Sequence, residues 1–251
     1  MKKILVSAFA AVASATAFAG MNNVVISFST PGPDKYSDGT VVVDGEKYAL
    51  VWTPNGETFE GINADGKAAG DNSKVVFAVP AASGGRCPRI EFQVDEDYVA
   101  SNYPNGTWSV VMLDTRVFQL DEAGKPVIAD GKRVVNSVGG ANEVNGYGVI
   151  GEAKAAKGAE VTSAGGVAAS STEAASDTPA PEVKSISIDN EFVYVTITST
   201  KPAFMYTLAA GDEPGSIAEK SGDPSSYGSA QDVILVKPKK VGGEFFKVNC
   251  K

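Results

Sequence analysis

Short runs in which apolar and polar residues alternate recur along this chain, and a period of two predicts strands. Phe204, Tyr206 and Leu208 alternate in one run, and Phe246, Val248 and Cys250 in another. Strand-like segments are Asn23–Phe28, Lys74–Val79, Arg89–Val94, Thr107–Phe118, Phe192–Ser199, Ala203–Ala209, Asp232–Lys237 and Glu244–Cys250. In Thr107–Phe118, Trp108, Val110 and Met112 fall on one face, and Val111 and Leu113 on the other. Apolar on both faces, it predicts a central strand covered on each side.

Between the runs stand Asp-Gly and Asn-Gly pairs at 38–39, 44–45, 55–56, 65–66, 105–106, 130–131 and 145–146. Such pairs supply the positive φ angles of tight hairpin turns. Thr40–Trp52 therefore predicts two strands around Asp44-Gly45, and Val127–Val135 a second hairpin around Asp130-Gly131. One short helix is expected over Asp95–Asn102, capped by Asp95 with Glu96 and Asp97 in its first turn. The fold class is mainly all-β: a hairpin-rich sandwich or barrel with one short helix, followed by a second small β unit.

Three shifts of composition divide the chain. Residues 1–19 combine Lys2 and Lys3, an alanine-rich apolar run and Ala17-Phe18-Ala19, the pattern of a secretory signal peptide. The run is too short for a bilayer, so no membrane span is expected. Residues 152–182 are built from Ala, Ser, Thr, Gly, Glu and Pro with no aromatic residue, which predicts a disordered tether. A β-rich domain over 20–151 and a small β domain over 183–251 remain.

Charge and composition then remove function classes. The 251 residues hold 22 basic and 30 acidic side chains, a net charge of −8, and no histidine. Nucleic acid and anionic membranes select a basic face, so neither is an expected partner. Without histidine there is no Ser-His-Asp or Cys-His chemistry and no ordinary catalytic zinc site.

The tether ending in Thr178-Pro179-Ala180-Pro181, the Tyr206-Thr207-Leu208 strand and the closing Gly243–Val248 run resemble immunoglobulin-like or fibronectin-III-like modules. Such modules close many exported bacterial proteins. The end of the chain, Phe245–Lys251, also resembles the sorting domain of type IX secretion substrates. The first resemblance implies a small β-sandwich, the second a secretion address.

Candidate chemistry is sparse. The loop Phe59–Lys74 gathers Asn63, Asp65 and Asp71, a set of oxygen ligands for a cation. Against the calcium-loop pattern, Gly61 falls on the first ligand position and Asn72 on the bidentate one, so two turns are the favoured reading. Gly146–Gly151 matches G-x-G-x-x-G without the strand and helix that give the motif meaning. Asp95, Glu96 and Asp97 are consecutive and cannot face one another across a glycosidic bond. Trp52, Asp114 and Arg116 are the candidate binding residues, by aromatic stacking and polar contact. Cys87 and Cys250 form a possible disulfide between the two units. No catalytic residue and no cofactor are expected. The chain is expected to act outside the cytoplasm, in the periplasm, at the cell surface or in the extracellular space, in adhesion, surface structure or binding of glycan or protein. The alternatives are a glycan-active enzyme built on two converging carboxylates, or a protein whose C-terminal domain is a secretion-sorting module.

Overall fold

The computed structural model describes residues 23–28, 33–80, 84–87, 90–95, 101–154, 161–162, 173–178 and 180–250. The regular structure of the described residues is almost entirely strand, arranged in mainly antiparallel sheets none of which closes into a barrel. No helix among these residues is long and apolar enough to cross a membrane.

The larger unit is organised by β5 (Gly106–Asp114), the middle strand of a five-stranded sheet. It lies between β2 (Lys47–Pro54) and β10 (Gly146–Lys154), with β3 (Lys74–Pro80) and β12 (Glu173–Ala174) at the two edges. Its residues from Trp108 to Asp114 are all buried, as apolar side chains on both faces require. On one face Ala49, Val51, Val111 and Leu113 pack with Ile62, Val144 and Ala175. On the other, Tyr48 stands opposite Met112, Leu50 opposite Val110 and Trp52 opposite Trp108. Each such large side chain contributes about 1.5–3 kcal/mol by leaving water. A second sheet sets β1 (Asn23–Phe28) between β4 (Ile90–Asp95) and β11 (Val161–Thr162).

Four features depart from the sequence pattern. Residues 40–43 form no strand beside β2, because both edges of β2 are taken by β3 and β5. They fold back on 34–36 instead, with the Val42 N–H donating to the Asp34 carbonyl at 3.0 Å. The long run 107–118 breaks at Thr115, and Arg116–Phe118 continues as β6, paired with β9 (Val135–Val138). Between them β7 (Ile128–Ala129) and β8 (Lys132–Arg133) turn through Asp130 and Gly131, both at positive φ, as the Asp-Gly signal predicts. The glycine-rich run 146–151 is itself strand, paired with β5 along its length and with β12 at Gly146 and Tyr147. The segment expected as an unstructured tether is in part built into sheets. Residues 152–154 end β10, Val161 and Thr162 pair with β1, Glu173 and Ala174 pair with β10, and Ala175 is buried. Backbone pairing with a sheet edge supplies there what side-chain burial cannot. The helix expected over 95–102 falls mainly on residues outside those described, and Asp95 itself ends β4.

The smaller unit stacks two three-stranded sheets, as alternation in its strands predicts. One has β14 (Phe192–Thr198) between β13 (Glu182–Ile188) and β17 (Val233–Pro238). The other has β15 (Met205–Gly211) between β16 (Ser225–Tyr227) and β18 (Phe245–Cys250). Val193, Val195, Ile197, Phe204, Tyr206, Leu208, Val233 and Leu235 form its core.

The two units touch through the 116–138 arm. Ser229 Oγ donates to the Ala123 carbonyl at 2.8 Å, and Arg133 Nη1 to the Ala203 carbonyl at 2.5 Å. Cys87 and Cys250 are not joined in a disulfide. Cys87 is sealed in the larger unit near Asp34, and its burial there and the neighbouring carboxylate push the thiol up to about 12. Cys250 ends β18 opposite Tyr206 in the smaller one.

Candidate functional site

Asp114 and Arg116 flank the break after β5, and the break lets both side chains turn to the same place. Arg116 Nε and Nη2 reach Asp114 Oδ1 and Oδ2 at 2.9 and 2.8 Å, a bidentate pair. Its Nη1 donates to Asp38 Oδ2 at 2.7 Å and to Thr40 Oγ1 at 3.1 Å. The guanidinium lies 3.6 Å from the Tyr36 ring centroid and 5.1 Å from that of Phe118. The Arg116 side chain is 1 % exposed. Beside it, Glu46 is wholly buried and accepts from Tyr36 Oη, from Thr115 N and Oγ1, and from Lys47 N. Burial pushes its carboxyl up, against the downward pull of those hydrogen bonds. A second tyrosine–carboxylate pair, Tyr48 with Asp34, is buried nearby.

This polar cluster corrects the expectation placed on Trp52, Asp114 and Arg116. Asp114 and Arg116 are indeed together, but they bind one another and the strand ends around them. Trp52 is buried too, its indole N–H donating to the Pro104 carbonyl at 3.0 Å and its ring edge-on to Tyr103. It pairs with Trp108, six residues before Asp114, so about 20 Å of strand separates it from the charged pair. The three side chains do not come together in one place.

The Asn63–Asp71 loop is two turns. Asn63 and Lys67 pair around Asp65-Gly66, with Gly66 at φ +80°, and the Asp65 carboxylate bonds Lys67. Gly70, at φ +73°, makes the second turn before β3. Among the described residues no three His, Cys, Asp or Glu side chains are grouped to hold a metal.

What this loop does is present Phe59 and Glu60 to β10. With Gly61, Tyr147, Gly148, Val149 and Glu173 they line an open cleft of about 440 Å3. Tyr147 and Glu173 are directly opposite across β10 and β12, and Tyr147 Oη donates to Glu173 Oε2 at 3.4 Å. The Phe59 ring meets Tyr147 edge-on at 6.1 Å. Burial and the Glu173 carboxylate beside it raise the Tyr147 phenol above its ordinary value. Gly61 makes the approach possible: at φ +112°, a Cβ there would lie 2.2 Å from the Tyr147 hydroxyl. Two half-buried rings and two carboxylates on one polar wall suit a ligand with apolar C–H faces and hydroxyl donors.

Glu173 also edges a second cleft of about 210 Å3 between the units, lined by Asp38, Asp114, Arg133, Phe204 and Tyr227. Arg133 closes it, 4.0 Å from the Phe118 ring centroid and 4.7 Å from that of Tyr227. Sequence patterns miss Tyr147 and Glu173, since one lies in a glycine run and the other in an expected tether. Their signal exists only in the pairing of β10 with β12, 26 residues apart. Phe59-Glu60, an aromatic–acid pair heading an oxygen-rich loop, is the legible part. The chain matches no protein-family model, no curated protein and no solved structure.

Proposed function

We propose that this chain is an exported, non-catalytic protein of the periplasm or cell surface that binds a glycan through its larger unit. The observation that carries the reading is the cleft formed by Phe59, Glu60, Tyr147 and Glu173. Aromatic rings there would pack on sugar C–H faces, and the carboxylates would accept hydroxyl protons. The acidic balance of the chain and of this wall favours neutral or cationic sugars over sulfated or uronic ones. Export is supported by the signal-peptide pattern of residues 1–19. The smaller unit, with its immunoglobulin-like resemblance, is proposed as the module that holds the chain at the surface or directs its secretion.

The carboxyl that burial pushes up, Glu46, is sealed from solvent by four donors, which speaks against it as a general acid. Hydrolysis remains the second reading because Glu60 and Glu173 share one cleft. A glycan array with the mature protein tests both. Binding that falls at least tenfold in both Tyr147→Ala and Glu173→Gln, with no cleavage of the bound sugar, supports the proposal. Cleavage abolished by Glu60→Gln or Glu173→Gln supports the second reading, and unchanged binding in Tyr147→Ala removes the cleft from consideration.

A further inference from the structure

Strand β13 is exposed along its whole length. That is unexpected, because half of it faces the core side of its sheet. Residues opposite one another in an antiparallel pair project from the same face. Val183 stands opposite Ile197, Ile186 opposite Val195 and Ile188 opposite Val193. The β14 partners are 0–3 % exposed, whereas Val183, Ile186 and Ile188 are 52 %, 52 % and 59 % exposed. The facing sheet therefore covers β14 and stops short of β13. Among the described residues β13 pairs only with β14, so its other edge also presents backbone donors and acceptors. Natural edges of this kind are blunted by proline, charge or bulges. Here the register shift at Val183/Ser185 and the nearby Lys184 blunt the first half, and Ser185–Ile188 is regular and unprotected.

We propose that β13 is a self-association edge, pairing antiparallel with β13 of a second copy about a two-fold axis at Ser187. The two three-stranded sheets then become one of six strands. Apolar pattern and charge choose this register together. To keep the isoleucines on one face, the axis passes through Ile186 or through Ser187. An axis at Ile186 sets only the two Ile186 side chains opposite one another and runs Ile188 into the bulge at Lys184 of the other copy. An axis at Ser187 sets Ile186 against Ile188 of the other copy, twice, making a cluster of four isoleucines. It also leaves the bulged Lys184, still 59 % exposed beside Asp232, just beyond the paired segment and next to the acidic Asp189 and Glu191 of the other copy. Parallel pairing would instead lay like charges side by side. A single strand per copy covers a small area, so the association belongs to the weak, micromolar class.

Sedimentation of the purified mature chain across the micromolar range tests the pairing. The expected result is a reversible dimer that Ile186→Lys and Ile188→Lys each weaken at least tenfold, with circular dichroism unchanged because both side chains are more than half exposed. Ser187→Cys in a Cys250→Ser background, treated with a short bismaleimide, is expected to give covalent dimers, and Ser216→Cys in the same background none. The Ser187→Cys readout stands even if a lysine variant fails to fold. A chain that stays monomeric, a dimer indifferent to both lysines, or cross-linking no better at Ser187→Cys than at Ser216→Cys overturns the proposal. So does a monomer that captures an extended foreign peptide on β13.

Discussion

Glu46 and Thr115, 69 residues apart in sequence, are joined twice: the Thr115 amide and hydroxyl both donate to the Glu46 carboxylate, at 3.1 and 2.5 Å. The pair ties the start of β2 to the break between β5 and β6. It is that break which turns the Arg116 side chain inward.

Glu46→Ala is expected to be among the most damaging single substitutions, because it strands the Tyr36 hydroxyl and the Thr115 and Lys47 amides in the interior. Each buried group left unsatisfied costs about 1–3 kcal/mol, so a loss of roughly 3 kcal/mol or more is expected from urea unfolding. Glu46→Gln should cost less, and its deficit should depend on pH. Burial raises the Glu46 carboxyl above its ordinary 4.5. Its stabilising share is thus complete below that value and is lost as pH rises through the folded one. The gap between wild type and Glu46→Gln is expected to narrow as pH rises from there.

Asp38 gives the opposite slope. Burial pushes its carboxyl up, but hydrogen bonds from the Thr40 hydroxyl and amide and from Arg116 outweigh this and set it at about 2, below the ordinary 3.8. The stability it contributes is present above 3.8 and is lost as pH falls toward 2. Unfolding midpoints measured over that window should fall steeply for wild type and less steeply for Asp38→Asn.

Arg116→Met should destabilise by about 3–5 kcal/mol, the range for removing one partner of a buried pair, and Arg116→Lys should recover only part of that loss. A lysine cannot hold both Asp114 oxygens and Asp38 together, nor lie flat between Tyr36 and Phe118. Loss of less than 1 kcal/mol in chemical denaturation would contradict the structural role assigned to the guanidinium.

Arg133→Ala combined with Ser229→Ala removes the arm's side-chain hydrogen bonds between the units. Calorimetry is expected to resolve the thermal transition into two, one per unit, with the smaller one melting first for want of core. An undivided, unshifted transition would mean that the units are coupled elsewhere.

Gly66→Ala and Asp65→Ala separate the two readings of the 59–74 loop. A Cβ at Gly66 would lie 1.8 Å from the Ala141 carbonyl, on a backbone already at φ +80°. More than about 2 kcal/mol of lost stability is expected from the clash and the strain together. Asp65→Ala removes only an exposed pair with Lys67 and should cost below about 1 kcal/mol. If instead added calcium raises the melting temperature of wild type and not of Asp65→Ala, the loop holds a cation after all.

Strand parity and turn chemistry along the chain are enough to set the class of this protein as all-β. Alternation placed four of the six strands of the smaller unit and the central strand of the larger, because a residue's face along a strand depends only on its parity. Asp130-Gly131 placed a hairpin, because positive φ is a local property. Tertiary structure alone decided which strands are neighbours. Thr40–Val43 has strand residues but no free edge to join, whereas glycine-rich 146–151 finds two. Arg116 has the look of a surface ligand-binder in sequence, yet Asp114, Asp38, Tyr36 and Phe118 close over it. Tyr147 and Glu173 become a cleft only through the pairing of β10 with β12. Burial and edge pairing are sums over residues distant along the chain, and no local pattern carries them.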